Sequence, residues 1–279
     1  MKLSISTLGC CDWPLNKVVS YFKSLGIFGI EVRALNDVMN PAEIECFSEE
    51  NAKNTKEFLK ENGMKIVCLD TSCKFDNASL AEKSIPEGKI AIDTAARMEI
   101  PYIRVFGNKI PEIEAPNRNE IETLMIDSIK LLADYALKKG VKVLLETHGN
   151  VCNIENMKKT VEILINHDGF GIIWDIAHSD VYYRENFEEF YLLIKPLIHH
   201  VHLKDHIRLP DLGKDKKDMG EGEIPIKAIV KRLLSDGYDG YFSFEHERKW
   251  HPQLPAPEFS FPKFADYMKN LENELNSSK

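Results

Sequence analysis

Eight short runs rich in β-branched and aromatic residues recur along the chain, at 3–8, 29–33, 65–69, 102–106, 141–146, 171–175, 198–203 and 241–245. Helical apolar spacing fills most of the intervals, clearest over 120–139, where Ile121, Leu124, Met125, Ile129, Leu132 and Ala136 share a face. Strand and helix alternating from end to end predict an α/β fold with a parallel sheet, and eight such units predict a (β/α)8 barrel. A chain of 279 residues with 43% hydrophobic content suits one barrel, so residues 1–279 are read as a single domain. Gly26, Gly63, Gly140 and Gly237 stand just before predicted strands, where a helix ends in the left-handed conformation.

Four consecutive runs end in a side chain able to bind a metal. They are Val141-Lys-Val-Leu-Leu-Glu146, Gly171-Ile-Ile-Trp-Asp175, Ile198-His-His-Val-His202 and Tyr241-Phe-Ser-Phe-Glu245. The separations, 29 residues from 146 to 175, 27 from 175 to 202 and 43 from 202 to 245, match β/α units, so the four should converge at the C-terminal end of the barrel. In such barrels that is the catalytic face. Three carboxylates and one imidazole suit one hard to borderline divalent ion: manganese, magnesium, cobalt or zinc. Glu146 and Glu245 lie three strands apart around an eight-membered ring, so they are candidate acid and base on two faces of a bound carbonyl compound. The alternative for each carboxylate is a polar strand end that caps the next helix. His148 and His200 share strand parity with Glu146 and His202; His148 extends toward the mouth, whereas His200 reads as a satisfied barrel histidine. Lys142 shares that inward parity. Trp13, Arg33, Thr71 and Phe106 are candidates for the remaining pocket wall.

A formal net charge of −8 and a pI near 5.7 disfavour a broad nucleic-acid surface and favour a small-molecule substrate. Six cysteines without a CxxC pair predict reduced thiols and a cytoplasmic protein. The apolar stretch before Cys10 is too short and polar for a signal peptide and reads as the first strand, and no run approaches the roughly 20 apolar residues of a membrane helix. The Gly-, Asp- and Lys-rich connection from about 205 to 225 is the longest on the catalytic side and reads as a loop that closes over substrate. Three prolines between Trp250 and Pro257 predict an extended crossing before the last helix, and Trp250 and Phe259 are candidate contacts in a homo-oligomer.

Gly29-Ile-Glu-Val-Arg33, Leu145-Glu-Thr-His148, Trp174-Asp-Ile-Ala-His178, His200-Val-His-Leu-Lys-Asp205, Gly220-Glu-Gly-Glu223 and the segment 237–245 together resemble the xylose isomerase-like TIM barrels. That family includes sugar phosphate isomerases and epimerases, inosose dehydratases, hydroxypyruvate isomerases and, more distantly, AP endonucleases. The resemblance implies a metal held by Glu146, Asp175, His202 and Glu245, with the two glutamates as acid and base. It also implies substrate contacts from His178 and Arg208, while Cys152 stands where the family's ketose epimerases carry a further substrate-binding glutamate. Lys204 matches a lysine of the inosose dehydratases that could assist a departing hydroxyl. The expected activity is metal-dependent isomerisation or epimerisation of a small sugar, polyol or sugar acid. Dehydration is the nearest alternative. Phosphodiester hydrolysis by a multi-zinc cluster is disfavoured, because the runs ending near Arg33, Asp70 and Phe106 lack the extra histidines.

Overall fold

A computed structural model describes residues 1–107, 109–210 and 213–277. The chain runs β1 (Lys2–Ser6), α1 (Leu15–Ser24), β2 (Gly29–Val32), α2 (Ala52–Glu61), β3 (Lys65–Lys74), α3 (Ala78–Met98), β4 (Tyr102–Phe106), α4 (Arg118–Leu137), β5 (Lys142–Glu146) and α5 (Ile154–Leu164). It continues through β6 (Phe170–Asp175), α6 (Ile176–Tyr183), α7 (Glu188–Ile194), β7 (Ile198–Leu203), β8 (Asp205–Arg208), β9 (Lys214–Lys217), α8 (Ile226–Ser235), β10 (Tyr241–Phe244) and α9 (Pro257–Ser277). Eight strands, all but β8 and β9, pair in parallel and close a barrel in the order β1-β10-β7-β6-β5-β4-β3-β2. This is a TIM barrel. The four glycines named above end helices with φ of +74°, +69°, +72° and +84°, a region where a Cβ is strained.

Alternation along each strand divides the residues between two environments. Ile5, Ile30, Val105, Leu145, Trp174 and Phe242 point outward and are buried against the helices in the main core. Each such side chain contributes about 1.5–3 kcal/mol by leaving water. Trp174 also stacks on Tyr191 of α7, with centroids 5.4 Å apart, and its indole N–H donates to Ser179 Oγ at 2.9 Å. The inward-facing residues form a small apolar cluster of Cys68, Leu144 and Ile173, packed against Tyr102. Polar and charged groups fill the barrel interior on the side of the strands' C-terminal ends.

Four expectations change. The first strand stops at Ser6, whose hydroxyl accepts the Leu8 N–H at 3.4 Å and starts a short 3-10 turn, Thr7–Cys10. β3 extends beyond 69 to Lys74, with a break in register against β4 between Asp70 and Lys74. The connection predicted as a loop contains the antiparallel β8–β9 hairpin, in which Asp205 pairs with Lys217 and Arg208 with Lys214. Its polar alternation gave no apolar period to detect. The 250–257 segment is turned rather than extended, with Trp250 N–H donating to Glu247 O and Leu254 N–H to His251 O. Lys142, inward by parity, lies at the N-terminal end of β5 and donates to Asp168 O, away from the catalytic face. Among the described residues no helix is long and apolar enough to cross a membrane, and all six cysteines are free.

Candidate metal centre

Glu146 ends β5, Asp175 ends β6, His202 lies near the end of β7 and Glu245 follows β10; all four are buried. One ligand atom from each lies within 4.8 Å of the other three. Glu146 Oε1, Asp175 Oδ2, His202 Nδ1 and Glu245 Oε2 are also buried without a hydrogen-bond partner. Orphaned buried acceptors are costly. In Asp175, Glu146 and His202 the other polar atom of the group is engaged. Asp175 Oδ1 caps α6, accepting from Ala177 N at 2.9 Å and His178 N at 3.0 Å. Glu146 Oε2 accepts from Arg104 Nη1. Capping and ligation, alternatives in the sequence, are compatible because each uses its own oxygen. Four inward-facing orphans, three oxygens and one nitrogen, fit a divalent ion.

Burial pushes all three carboxylates toward protonation, but nearby cations outweigh it. Arg104 holds Glu146 below the usual carboxylate range, and Lys204 does the same for Asp175 and, with His202, for Glu245. The Lys204 ammonium makes an ion pair with Asp175 Oδ2 at 2.7 Å and another with Glu245 Oε2. Asp175 Oδ2 and Glu245 Oε2 therefore face an ammonium as well as the centre.

A buried set of polar side chains adjoins the four. Glu31 of β2 approaches His200 Nε2 at 2.6 Å and His202 Nε2 at 3.1 Å through a single oxygen, Oε2. Burial raises Glu31, yet His202 and His200 outweigh it and hold it well below the usual range. An ionised carboxylate can only accept, so both imidazoles present Nε2–H to it. His202 Nδ1 is then left toward Glu245, Glu146 and Asp175 at 3.3, 3.8 and 3.9 Å. Asp70 lies 3.7 Å from Arg104, and burial pushes it well above the usual range despite that guanidinium.

His148 and His178 stand at the rim with ring centroids 4.0 Å apart, and Phe106 meets the His148 ring at 5.0 Å. Burial lowers both imidazoles, so they are neutral donors or acceptors. Arg208 lies on the hairpin but is engaged elsewhere: Nε and Nη2 bind Asp180 at 3.0 and 2.8 Å, and Nη1 binds Glu185 at 2.6 Å. Lys204, Lys214, Lys216, His178, Glu245 and Glu247 border a cavity of about 30 Å³ beneath the hairpin. Larger grooves of about 620 and 820 Å³ lie elsewhere, one lined by α1 and α2 residues and one at the N-terminal face. The small cavity is the one that meets the four-residue centre. Of the other suggested wall residues, Trp13 is buried edge-on against Tyr21 and Phe261, and Thr71 Oγ1 donates to Arg104 O. Arg33 is buried and donates to Ser72 Oγ at 2.7 Å. Cys152 donates its thiol to Thr147 O at 2.9 Å.

A model of the xylose isomerase-like TIM barrel matches residues 19–271. The chain belongs to that family. Among members of known sequence, Uncharacterized protein MJ1188 of Methanocaldococcus jannaschii is 23% identical over 287 residues, covering 98% of this chain and 97% of its own. A crystal structure of the IOLI protein with a bound zinc atom superposes with TM-score 0.77 at 20% identity, covering 100% of this chain and 99% of that one. The 3-keto-D-glucoside 4-epimerase YcjR of E. coli superposes at 0.71 and 17% identity, covering 98% and 99%. At these identities the superpositions establish the shared barrel.

In this xylose isomerase-like chain the residues missed from sequence are Arg104, Asp70 and the contact role of Glu31. Arg104 sits mid-strand in Tyr102-Ile-Arg-Val-Phe106, on the same parity as its strand's inward Tyr102, and an interior arginine in a β-branched run was the available signal. Glu31 was equally visible as a charge inside Gly29-Ile-Glu-Val32.

Proposed function

We propose that the protein is a metal-dependent isomerase or epimerase of a small sugar, polyol or sugar acid, with one divalent ion (Mn, Mg, Co or Zn) held by Glu146, Asp175, His202 and Glu245. The observation that carries this reading is the convergence of four buried ligand atoms, one each from Glu146, Asp175, His202 and Glu245, within 4.8 Å of one another. The ion would polarise a substrate carbonyl and offset the charge that develops on its oxygen. Glu146 or Glu245 removes the proton from the carbon beside that carbonyl, leaving an enediolate. The opposite glutamate returns a proton to the other face, inverting the carbon, or to the former carbonyl carbon, in which case the adjacent hydroxyl's proton passes to the old carbonyl oxygen and the carbonyl moves; no atom is gained or lost. The two come from strands separated in the barrel by β6 and β7. His148 and His178, neutral at the rim, hydrogen-bond substrate oxygens. Arg208 contributes only if it leaves Asp180. A carbohydrate partner is preferred to nucleic acid because the formal net charge of −8 repels a polyphosphate. The zinc-bearing IOLI structure and the epimerase neighbour support the metal and the reaction class.

Dehydration is the second reading, favoured by one contact: Lys204, beside Asp175 and Glu245, is positioned to give a proton to a departing hydroxyl. Incubating metal-loaded protein in D₂O with ketoses, aldoses and inososes tests both. Isomerisation or epimerisation places deuterium on the reacting carbon without a change in composition, whereas loss of one water assigns dehydration. Conversion with full retention of the original hydrogen overturns the proton-transfer scheme in favour of a hydride shift.

A further inference from the structure

We infer that the substrate of this centre carries an anionic group, a carboxylate or a phosphate, seated by Lys214 and Lys216 on the inner side of the β8–β9 hairpin. The inference rests on the centre proposed above and narrows its substrate class. Lys214 and Lys216 are two residues apart on β9, so they share a face, and both border the cavity that also meets His178 and Glu245. The Lys214 ammonium is largely withdrawn from water, yet its bond is to a neutral group, Ala177 O at 2.9 Å, and among the described residues no carboxylate makes an ion pair with it. Lys216 pairs with Glu247, but that carboxylate is shared with Lys204 at 3.4 Å. Four lysines, Lys204, Lys214, Lys216 and Lys217, thus line one cavity; Lys204 pairs with Asp175 and Glu245 and Lys217 with Asp215, while among the described residues Lys214 has no carboxylate partner and Lys216 shares Glu247 with Lys204.

Buried, under-compensated positive charge is expensive. The expense shows at Lys216, which burial, together with Lys204 and Lys214, pulls down to about 8. The excess grows when a divalent ion is seated, because Lys204 and the ion compete for the same oxygens, Asp175 Oδ2 and Glu245 Oε2. Lysines also constrain the ligand's hydrogen-bonding character. They offer only donors, so a neutral hydroxyl there must act purely as an acceptor, whereas a carboxylate or phosphate presents acceptors alone. Two lysines beside the proposed centre match that pattern.

The test is calorimetric titration of the full, metal-loaded protein with matched ligands: glucose, glucuronate and glucose 6-phosphate, the equivalent galactose set, and inorganic phosphate. Anionic members should bind at least about tenfold more tightly than their neutral counterparts, the worth of one charge-assisted hydrogen bond. The carboxylate and phosphate arms identify which anion fits. Lys214→Met with Lys216→Met, read on folded, metal-loaded protein, should erase the ratio of anionic to neutral affinity, and Lys214→Arg should retain it. Equal affinity for neutral and anionic members overturns the inference, as does an intact preference in the double methionine variant or failure of every anion to bind. Metal content and solvent deuterium exchange, read on the same samples, separate the two ideas. A neutral sugar turned over with exchange sinks the anion subsite and keeps the isomerase. Lysine-dependent anion binding without exchange for any ligand keeps the subsite and counts against the isomerase.

Discussion

Replacing Glu31 with Gln should weaken divalent-metal binding although Glu31 is not among the four proposed ligands. Its Oε2 accepts from both His200 and His202, so the carboxylate fixes the tautomer that leaves His202 Nδ1 toward the centre. Glutamine keeps the shape and one accepting oxygen but removes the charge. A hydrogen bond to a charged group contributes about 1.5–3 kcal/mol and a neutral one about 0.5–1.5, so the bond to His202 loses about 1–1.5 kcal/mol. That corresponds to about a tenfold rise in the metal Kd, at the lower end of the 10- to 100-fold typical for a carboxylate behind a ligating histidine. A second effect opposes it. Burial disfavours the His202 proton, but Glu31 and Glu245 outweigh burial and raise the imidazole well above its ordinary value. Removing the Glu31 charge therefore also reduces proton competition. The deficit should be largest near about pH 8, where His202 carries the smallest fraction of bound proton, and should shrink toward about pH 6. Competition against a chromophoric chelator across that range measures both. Wild-type affinity at the upper pH, or a deficit independent of pH, would refute the reasoning.

Metal should raise the melting temperature more as pH rises. In the metal-free fold the raised His202 adds stability that is fully present below about pH 6.5 and is lost as pH climbs through its folded value, while an ion needs that nitrogen unprotonated; a gain that is flat or falls with pH, by scanning fluorimetry with and without chelator, contradicts this. Asp175→Asn and His202→Ala should each lose most bound metal, read by elemental analysis, and near-stoichiometric metal in both removes the four-ligand scheme. Glu146→Gln and Glu245→Gln should each lower turnover by about 10²-fold or more, as a lost acid or base does, and either variant at wild-type kcat would exclude it from proton transfer. The 30 Å³ cavity is too small for a sugar, so the hairpin must move to admit one; equal protease sensitivity around 205–217 with and without saturating ligand argues against that motion.

The barrel and the convergence of its four orphaned atoms were legible because a β/α period is periodic in sequence: each strand end is an apolar run followed by a polar stop. The interior charges were less legible for a physical reason. Arg104 and Glu31 sit inside strands whose outward faces are apolar, so the run still reads as a buried strand, and only pairing with a distant strand reveals that Arg104 meets Glu146 and Glu31 meets His200. The histidine at 200, expected to be satisfied, is so at one nitrogen: Nε2 meets Glu31, 169 residues away, while the buried Nδ1 has no hydrogen-bond partner. The hairpin escaped because all four residues of β9 are charged, and charged alternation carries no burial signal.

Asp205 gives the hairpin its setting. Its Oδ2 accepts the Gly220 and Gly222 N–H groups at 3.0 and 2.9 Å and its Oδ1 accepts the His206 N–H at 2.9 Å, and a Cβ on Gly222 would run into the carboxylate. The root of the hairpin is thus specified by one acid and a glycine that tolerates no side chain, whereas Lys214 and Lys216 fasten the second strand to Ala177 and Glu247 on the barrel. Root and fastening are separate: the root ties the start of β8 to the segment that follows β9, and the two lysines set how closely the pair lies over the barrel. A change at 214 or 216 would therefore loosen the lean of the strand pair while the Asp205 root kept its hold on Gly220 and Gly222.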